Sequence, residues 1–411
     1  MTKTPSPWLT IIGISNEATP VLNQNAQAAL KTAKHLLGSK RQLALIPTNL
    51  TPNAKREEWQ SPMGPHIEEL KTKRPTSTVI IATGDPMCWG IGEKFSADLK
   101  EGEIHLIPAP SIVTLVANKM LWPTPEIKSL SLCSQPLASL ASLLAPNQKL
   151  CLLSASNQDP QKIAALLQKN GYGPSEISIL QNLGSKNEAR YDTTANDLAA
   201  FTEHNTIAKL NCLAIKLKPQ TKRPPLTIGP GLPDETFIHD GQLTKQHIRA
   251  LTLMALRPAP NELLWDIGAG NGSISIEWLR AAHGTNAIAI EQNSARLANI
   301  KTNAENLGVP HLEIVEGTAP NCLDNLPAPD AIFIGGGITT KGLLPKTFAA
   351  LKPTGRLVAN TVTLEGEAIL IAAQKTHGGI LTRLSIEHAT EIGSFKGWQP
   401  TRPIIQWVYQ K

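Results

Sequence analysis

The chain has 411 residues, which at about 100–200 residues per domain leads to two or three domains. Hydrophobic residues make up 41% and charged residues 18%, a balance that excludes large-scale disorder; the 4% aromatic share leaves the core mainly to Leu, Ile, Ala and Val. The net charge of +6 comes without a basic run that could track nucleic acid, since the densest cluster, Lys71-Thr72-Lys73-Arg74, reads as a solvated face.

The first half alternates strand-like and helix-like segments. Leu9-Thr10-Ile11-Ile12-Gly13-Ile14 reads as a buried strand, too short for a secretory segment, and a helix is expected from about Asn25 to Leu37. Val79-Ile80-Ile81-Ala82 is a strand running into Thr83-Gly84-Asp85-Pro86. The strand Ile104-His105-Leu106-Ile107 ends at Pro108, and a helix follows from Ser111 to Leu121. After Trp122-Pro123 the pattern restarts with strands at 130–133 and 150–153. Asp159 is expected to cap a helix with Pro160 at its first position, and Gly171 to end it. Segments 177–180 and 212–217 alternate as strands of a more exposed sheet.

Lys218 to Pro225 is rich in proline and charge and reads as a linker. Beyond it, a helix from about Thr244 to Leu256 precedes strands at 263–267, 287–291, 312–315, 331–334 and 356–359, with helices at 294–306 and 341–351. Two late segments follow, 381–388 and 404–409. Strands alternating with helices predict a parallel sheet.

The most informative stretch is Asp266-Ile267-Gly268-Ala269-Gly270-Asn271-Gly272, a strand end, a glycine turn and the start of a helix that Ser273 can cap. Glycines let backbone approach a ligand closely, and Glu291, 23 residues after Gly268, can hold both ribose hydroxyls. The spacing D-x-G-x-G-x-G is not the G-x-G-x-x-G of a nicotinamide oxidoreductase, the alternative reading. Five cysteines, Cys88, Cys133, Cys151, Cys212 and Cys322, form neither a disulfide framework nor a C-x-x-C site. They suggest reduced thiols in a cytoplasmic protein without a metal. No apolar stretch is long enough to span a bilayer, so no membrane partner is expected.

With Gly231-Leu232-Pro233-Asp234-Glu235-Thr236-Phe237, Thr244 to Leu251, Glu316 to Pro320 and Phe333-Ile334-Gly335-Gly336, the second half resembles the class I methyltransferases, in particular the corrin-pathway enzymes that methylate and decarboxylate a precorrin. Ile11 to Ile14, Thr83 to Pro86 with Gly90-Ile91-Gly92, and Pro108-Ala109-Pro110-Ser111 give the first half a resemblance to the tetrapyrrole methylases. Ser15 stands where that family usually has glycine. Together they resemble the fused precorrin-6Y C5,15-methyltransferase (decarboxylating) family.

That resemblance implies an α/β chain. A two-lobed tetrapyrrole methylase domain would occupy 1–218, with lobes at about 1–121 and 122–218. A linker at 219–230 would lead to a Rossmann-like class I domain at 231–411 with a mostly parallel seven-stranded sheet. It implies S-adenosylmethionine as cofactor, a tetrapyrrole substrate, methylation at carbons 5 and 15, loss of carbon dioxide from the carbon-12 acetate, and a homo-oligomer. The alternative within the family is a catalytic second half beside a first half that only binds tetrapyrrole.

The expected cofactor contacts are Thr244, Asp266, Gly268, Ala269, Gly270, Asn271, Gly272, Glu291, Thr318 and Ala319, with Gly84, Asp85 and Pro86 in the first half. Taken alone, Thr244 is also a plain helix cap and Gly84-Asp85-Pro86 a plain turn. Lys245, Arg249 and Arg402 are candidates for pairing with substrate carboxylates, and His239, Asp240 and His247 for placing a proton during decarboxylation. Each of these is also consistent with an ordinary surface residue.

Overall fold

A computed structural model describes residues 7–100, 102–220, 226 and 228–411. It divides into two compact units, Met1–Leu137 with Pro146–Arg223, and Ala138–Ala145 with Pro224–Lys411. Most of the charged, proline-rich linker core, residues 221–225 and 227, lies outside the described residues.

The first unit holds two five-stranded sheets. The first contains β1 (Leu9–Ile14), β2 (His35–Gly38), β3 (Lys55–Glu58), β4 (Thr78–Thr83) and β5 (Ile104–Ile107), in the order β3-β2-β4-β1-β5 and parallel throughout. Its central strands β1 and β4 are largely apolar without alternation because both faces are covered. Ile12, Ile14, Val79 and Ile81 pack on one side, and Leu9, Ile11, Ile80 and Ala82 on the other.

The second sheet contains β6 (Ile127–Ser131), β7 (Lys149–Leu153), β8 (Glu176–Gln181), β9 (Ala189–Thr194) and β10 (Asn211–Lys216), in the order β6-β7-β10-β8-β9. Only β6 and β7 pair parallel. The expected exposure of β8 and β10 is corrected here. Both strands are buried on both faces, and the alternating Ser178 is accommodated because its hydroxyl donates to Asp192 on β9. Asp159 is the first residue of its helix rather than the cap. Its carboxylate accepts the N–H groups of Ala155 at 2.7 Å and Ser156 at 2.9 Å, fastening the preceding loop.

The second unit is built on β11 (Leu263–Ile267), β12 (Asn286–Glu291), β13 (Glu313–Glu316), β14 (Ala331–Ile334), β15 (Arg356–Thr361), β16 (Ile380–Leu384) and β19 (Ile404–Gln410). Their order is β13-β12-β11-β14-β15-β19-β16. This is the mostly parallel seven-stranded sheet expected, with β19 antiparallel to both neighbours. Trp265, Ile288, Ile332 and Leu357 pack on one face; Leu264, Ala289, Phe333 and Val358 pack on the other. The chain runs outward from β11 to β13 and then restarts at β14 on the other side of β11. That reversal opens a crevice beyond the strand ends, where ligands of open α/β sheets bind. A hairpin not foreseen from the sequence, β17 (Glu387–Ile392) and β18 (Phe395–Pro400), stands apart as a two-stranded sheet.

Candidate active sites

The strand-turn-helix at β11 follows from its residues. Gly268, Gly270 and Gly272 have φ of 72°, 60° and 82°, a region that side chains with a Cβ rarely adopt. A Cβ at Gly268 would also lie 2.8 Å from the Gly336 nitrogen, so the turns after β11 and β14 pack as two bare backbones. The helix Ser273–Ala281 begins with Gly272 in the capping position. Ser273 therefore does not cap it.

A cleft of about 880 Å³ opens over this turn. Seven expected cofactor contacts line it: Thr244, Gly268, Ala269, Gly270, Glu291, Thr318 and Ala319. Thr244 precedes the helix Gln246–Leu256, whose capping position is Lys245, so its plain-cap alternative fails. Glu291, at the end of β12, is 5% exposed and accepts from Gly270 N at 2.9 Å, Gln292 N at 2.9 Å and Asn293 N at 3.0 Å. Its carboxylate therefore holds the glycine turn while facing the cleft. Thr318 donates to Gln292 Oε1 at 2.9 Å, tying the loop after β13 to the end of β12.

Three expected contacts lie beneath the cleft instead. Asp266 is fully buried and accepts the N–H and hydroxyl of Ser275 at 3.0 and 2.6 Å, bracing the helix. Burial, with a smaller push from the Glu291 charge, raises its carboxyl from 3.8 to about 6. Asn271 donates to Gln242 O at 2.6 Å and Asp240 Oδ1 at 3.0 Å, and Gly272 packs on Ile300.

The charged candidates separate in the same way. Lys245 and Arg402 line the cleft; Arg249 does not. Arg249 is 0% exposed and donates to Glu277, Asp234 and the carbonyls of Thr244 and Leu232, so its guanidinium is held inside the protein, out of reach of a substrate carboxylate. Asp240 is held by Asn271 and, at 2.9 Å, by Arg296. Those two hydrogen bonds, the Asn271 one first, keep its carboxyl well below the usual range, which removes it as a proton donor. His239 faces the Gly241 N–H at 3.0 Å and lies outside the lining. His247 lies within it. Gln242, Gln292, Thr340, Asn360 and His388 also line the cleft and carried no motif that would have exposed them.

In the first unit the turn after β4 is tightly built. Gly84 has φ 71°, and a Cβ on Gly13 would fall 2.1 Å from the Gly84 carbonyl oxygen. Asp85 Oδ1 accepts Met87 N at 2.8 Å, and Pro86 O accepts Gly92 N at 2.9 Å. Ser15 fits, but its Oγ is buried without a partner. A cavity of about 510 Å³ is lined by Asn16 and Arg41 from one lobe and Ser154, Asn182 and Lys209 from the other, without Gly84, Asp85 or Pro86. Arg41 links the two features by donating to Thr83 Oγ1 at 2.8 Å.

A mostly parallel seven-stranded sheet, a D-x-G-x-G-x-G turn after its central strand and a carboxylate closing the next strand define a class I methyltransferase. Over 406 residues the chain is 38% identical to the precorrin-6Y C(5,15)-methyltransferase (decarboxylating) of Sinorhizobium sp, covering 99% of this chain and 97% of that protein. The chain belongs to the precorrin-6Y C(5,15)-methyltransferase (decarboxylating) family and is a methyltransferase of cobalamin biosynthesis. The protein of that name from Mycobacterium tuberculosis (strain CDC 1551 / Oshkosh) is 36% identical over 401 residues, 98% of this chain and 99% of its own. Residues 9–199 match the tetrapyrrole (corrin/porphyrin) methylases and residues 235–411 the precorrin methyltransferase domain. The crystal structure of the C-terminal domain of precorrin-6Y C5,15-methyltransferase from Rhodobacter capsulatus is 46% identical. It covers 45% of this chain and 100% of its own, with a TM-score of 0.43. Among the described residues no helix is long and apolar enough to cross a membrane.

Proposed function

We propose that each unit uses S-adenosylmethionine, the first to methylate carbon 5 of reduced precorrin-6, the second to methylate carbon 15 and remove carbon dioxide from the carbon-12 acetate, giving precorrin-8. The domains take the boundaries 1–218 and 231–411. The observation that carries this reading is Glu291, whose buried carboxylate faces the cleft and at the same time fastens the Gly270 turn. Thr244, Gly268, Ala269, Gly270, Glu291, Thr318 and Ala319 would hold the donor, with Asp266, Asn271 and Gly272 supporting the turn from below.

Bound there, the sulfonium supplies an electrophilic methyl. The residues need only align it with the nucleophilic ring carbon, and such alignment is worth about 7–11 kcal/mol of barrier. The glycine turn gives close backbone approach, and Lys245 and Arg402 at the rim pair with substrate carboxylates. Gly84, Asp85 and Pro86 are assigned the equivalent donor contacts in the first unit.

Incubation of the full chain with labelled donor and reduced precorrin-6, followed by mass measurement, tests this reading. Two methyls gained and one carbon dioxide lost is the expected result. No methyl gained overturns it, and a single methyl restricts catalysis to one unit.

A further inference from the structure

Most charged side chains lining the cleft of the second unit are already committed. Glu291 accepts three backbone N–H groups, Arg296 donates to Asp240, and Asp234 faces Arg249 at 3.1 Å and Lys245 at 3.7 Å. Lys245 and Arg402 are cations suited to holding carboxylates. That leaves two imidazoles. His247 lies in the first turn of the helix Gln246–Leu256 and His388 on β17, with ring centroids 5.6 Å apart and planes inclined at 53°. Both rings line the cleft, as do Ile386, Thr401 and Arg402 at the base of the hairpin, so the hairpin is a wall of the site. Imidazole is the side chain whose ordinary protonation range spans neutrality.

We propose that His247 and His388 form the proton-donating pair that completes decarboxylation in the second unit. The inference rests on the decarboxylating function proposed above. In the step assigned to them, the bond between the acetate methylene and its carboxylate breaks. The electron pair passes into the conjugated macrocycle and carbon dioxide leaves. The former methylene carbon then takes a proton from imidazolium and becomes a methyl group as the electron pair returns. Both residues are exposed at the mouth of the cleft, so water resupplies the proton. Two adjacent rings can replace each other in part, and the decisive variant therefore removes both.

The test uses the full-length H247A/H388A protein, with calorimetric donor binding as the check of its fold. Carbon dioxide release from carboxyl-labelled substrate is expected to fall about 100-fold or more, within the range of a general acid's contribution, and added imidazole to recover about tenfold of the loss. Sodium chloride at equal ionic strength is expected to recover nothing. Release within about threefold of the wild type, too little for a general acid, overturns the inference, as does a loss that imidazole does not repair, which would make the pair a positioning feature. Wild-type protein that transfers methyl without releasing carbon dioxide overturns this inference and leaves the methyl-transfer reading standing. Wild-type protein that does neither overturns both.

Discussion

Asp266 and its neighbour Ile267 show what a motif leaves out. Side chains alternate along a strand, so only one of two adjacent residues can face the ligand. Ile267 lines the cleft, while Asp266 points into the protein and braces Ser275. The spacing D-x-G-x-G-x-G reveals the turn but not that division. Burial raises the Asp266 carboxyl from 3.8 to about 6, which fixes the sign of a pH effect. Well below about pH 4 the carboxyl is protonated in folded and unfolded chains alike and costs nothing. As pH rises towards 6 the unfolded chain ionises first, so the folded state loses stability, by roughly 3 kcal/mol at most for a shift of about two units. D266N removes this term. Its unfolding free energy relative to the wild type is expected to rise between pH 4 and 6.5 and then level off. Denaturant unfolding of both proteins across that range measures it, and a flat difference would contradict the burial argument.

Among the elements, the segment 238–244 behaves as a strap. The Ile238 N–H and carbonyl bracket the Asn303 side chain at 2.8 and 2.9 Å, and Asp240 bridges Asn271 and Arg296. The strap places Gln242, Leu243 and Thr244 against the glycine turn. It has no periodicity, so the sequence exposed its chemistry-bearing residues without their structural task. The β17–β18 hairpin escaped for a different reason. Its strands lack an apolar alternation because they stand apart from the sheet, although Gly393-Ser394 at the bend is a hairpin signal. Strands such as β1, β4, β11 and β14 were legible because their apolar runs are buried on both faces, whereas β3, with the charged run Lys55-Arg56-Glu57-Glu58, carries no such signal. D240A is expected to raise the KM for the methyl donor about three- to tenfold, the scale of one charge-assisted hydrogen bond at an exposed site, with kcat nearly unchanged. Steady-state kinetics at saturating tetrapyrrole decide this. A fall in kcat at constant KM would place Asp240 in the chemistry instead of the strap.

On the scale of the whole molecule, the question is whether both units are catalysts. The second unit brings seven of its ten expected donor contacts around a single cleft, with Asp266, Asn271 and Gly272 beneath it. The first presents a tight Gly84-Asp85-Pro86 turn, a partnerless buried Ser15 hydroxyl and a cavity that the turn does not line. The two compact units each have their own sheets and cores, and each carries its own candidate donor turn. Substitutions should therefore act one unit at a time, since sites without shared partners behave additively. E291A strips a charge-assisted acceptor from three backbone N–H groups and is expected to weaken donor binding in the second unit about 10- to 100-fold. Its product should carry one new methyl, at carbon 5, and keep every carboxylate. D85A removes the acceptor of the Met87 N–H in the turn, and its product should carry the carbon-15 methyl and lack one carboxylate. Mass spectrometry with positional assignment of the labelled methyls reads both variants. Methylation at carbon 5 that survives D85A at the wild-type rate would move that reaction away from the Gly84-Asp85-Pro86 turn. If E291A abolished it as well, both methylations would belong to the second unit, and the first would be a tetrapyrrole-binding module.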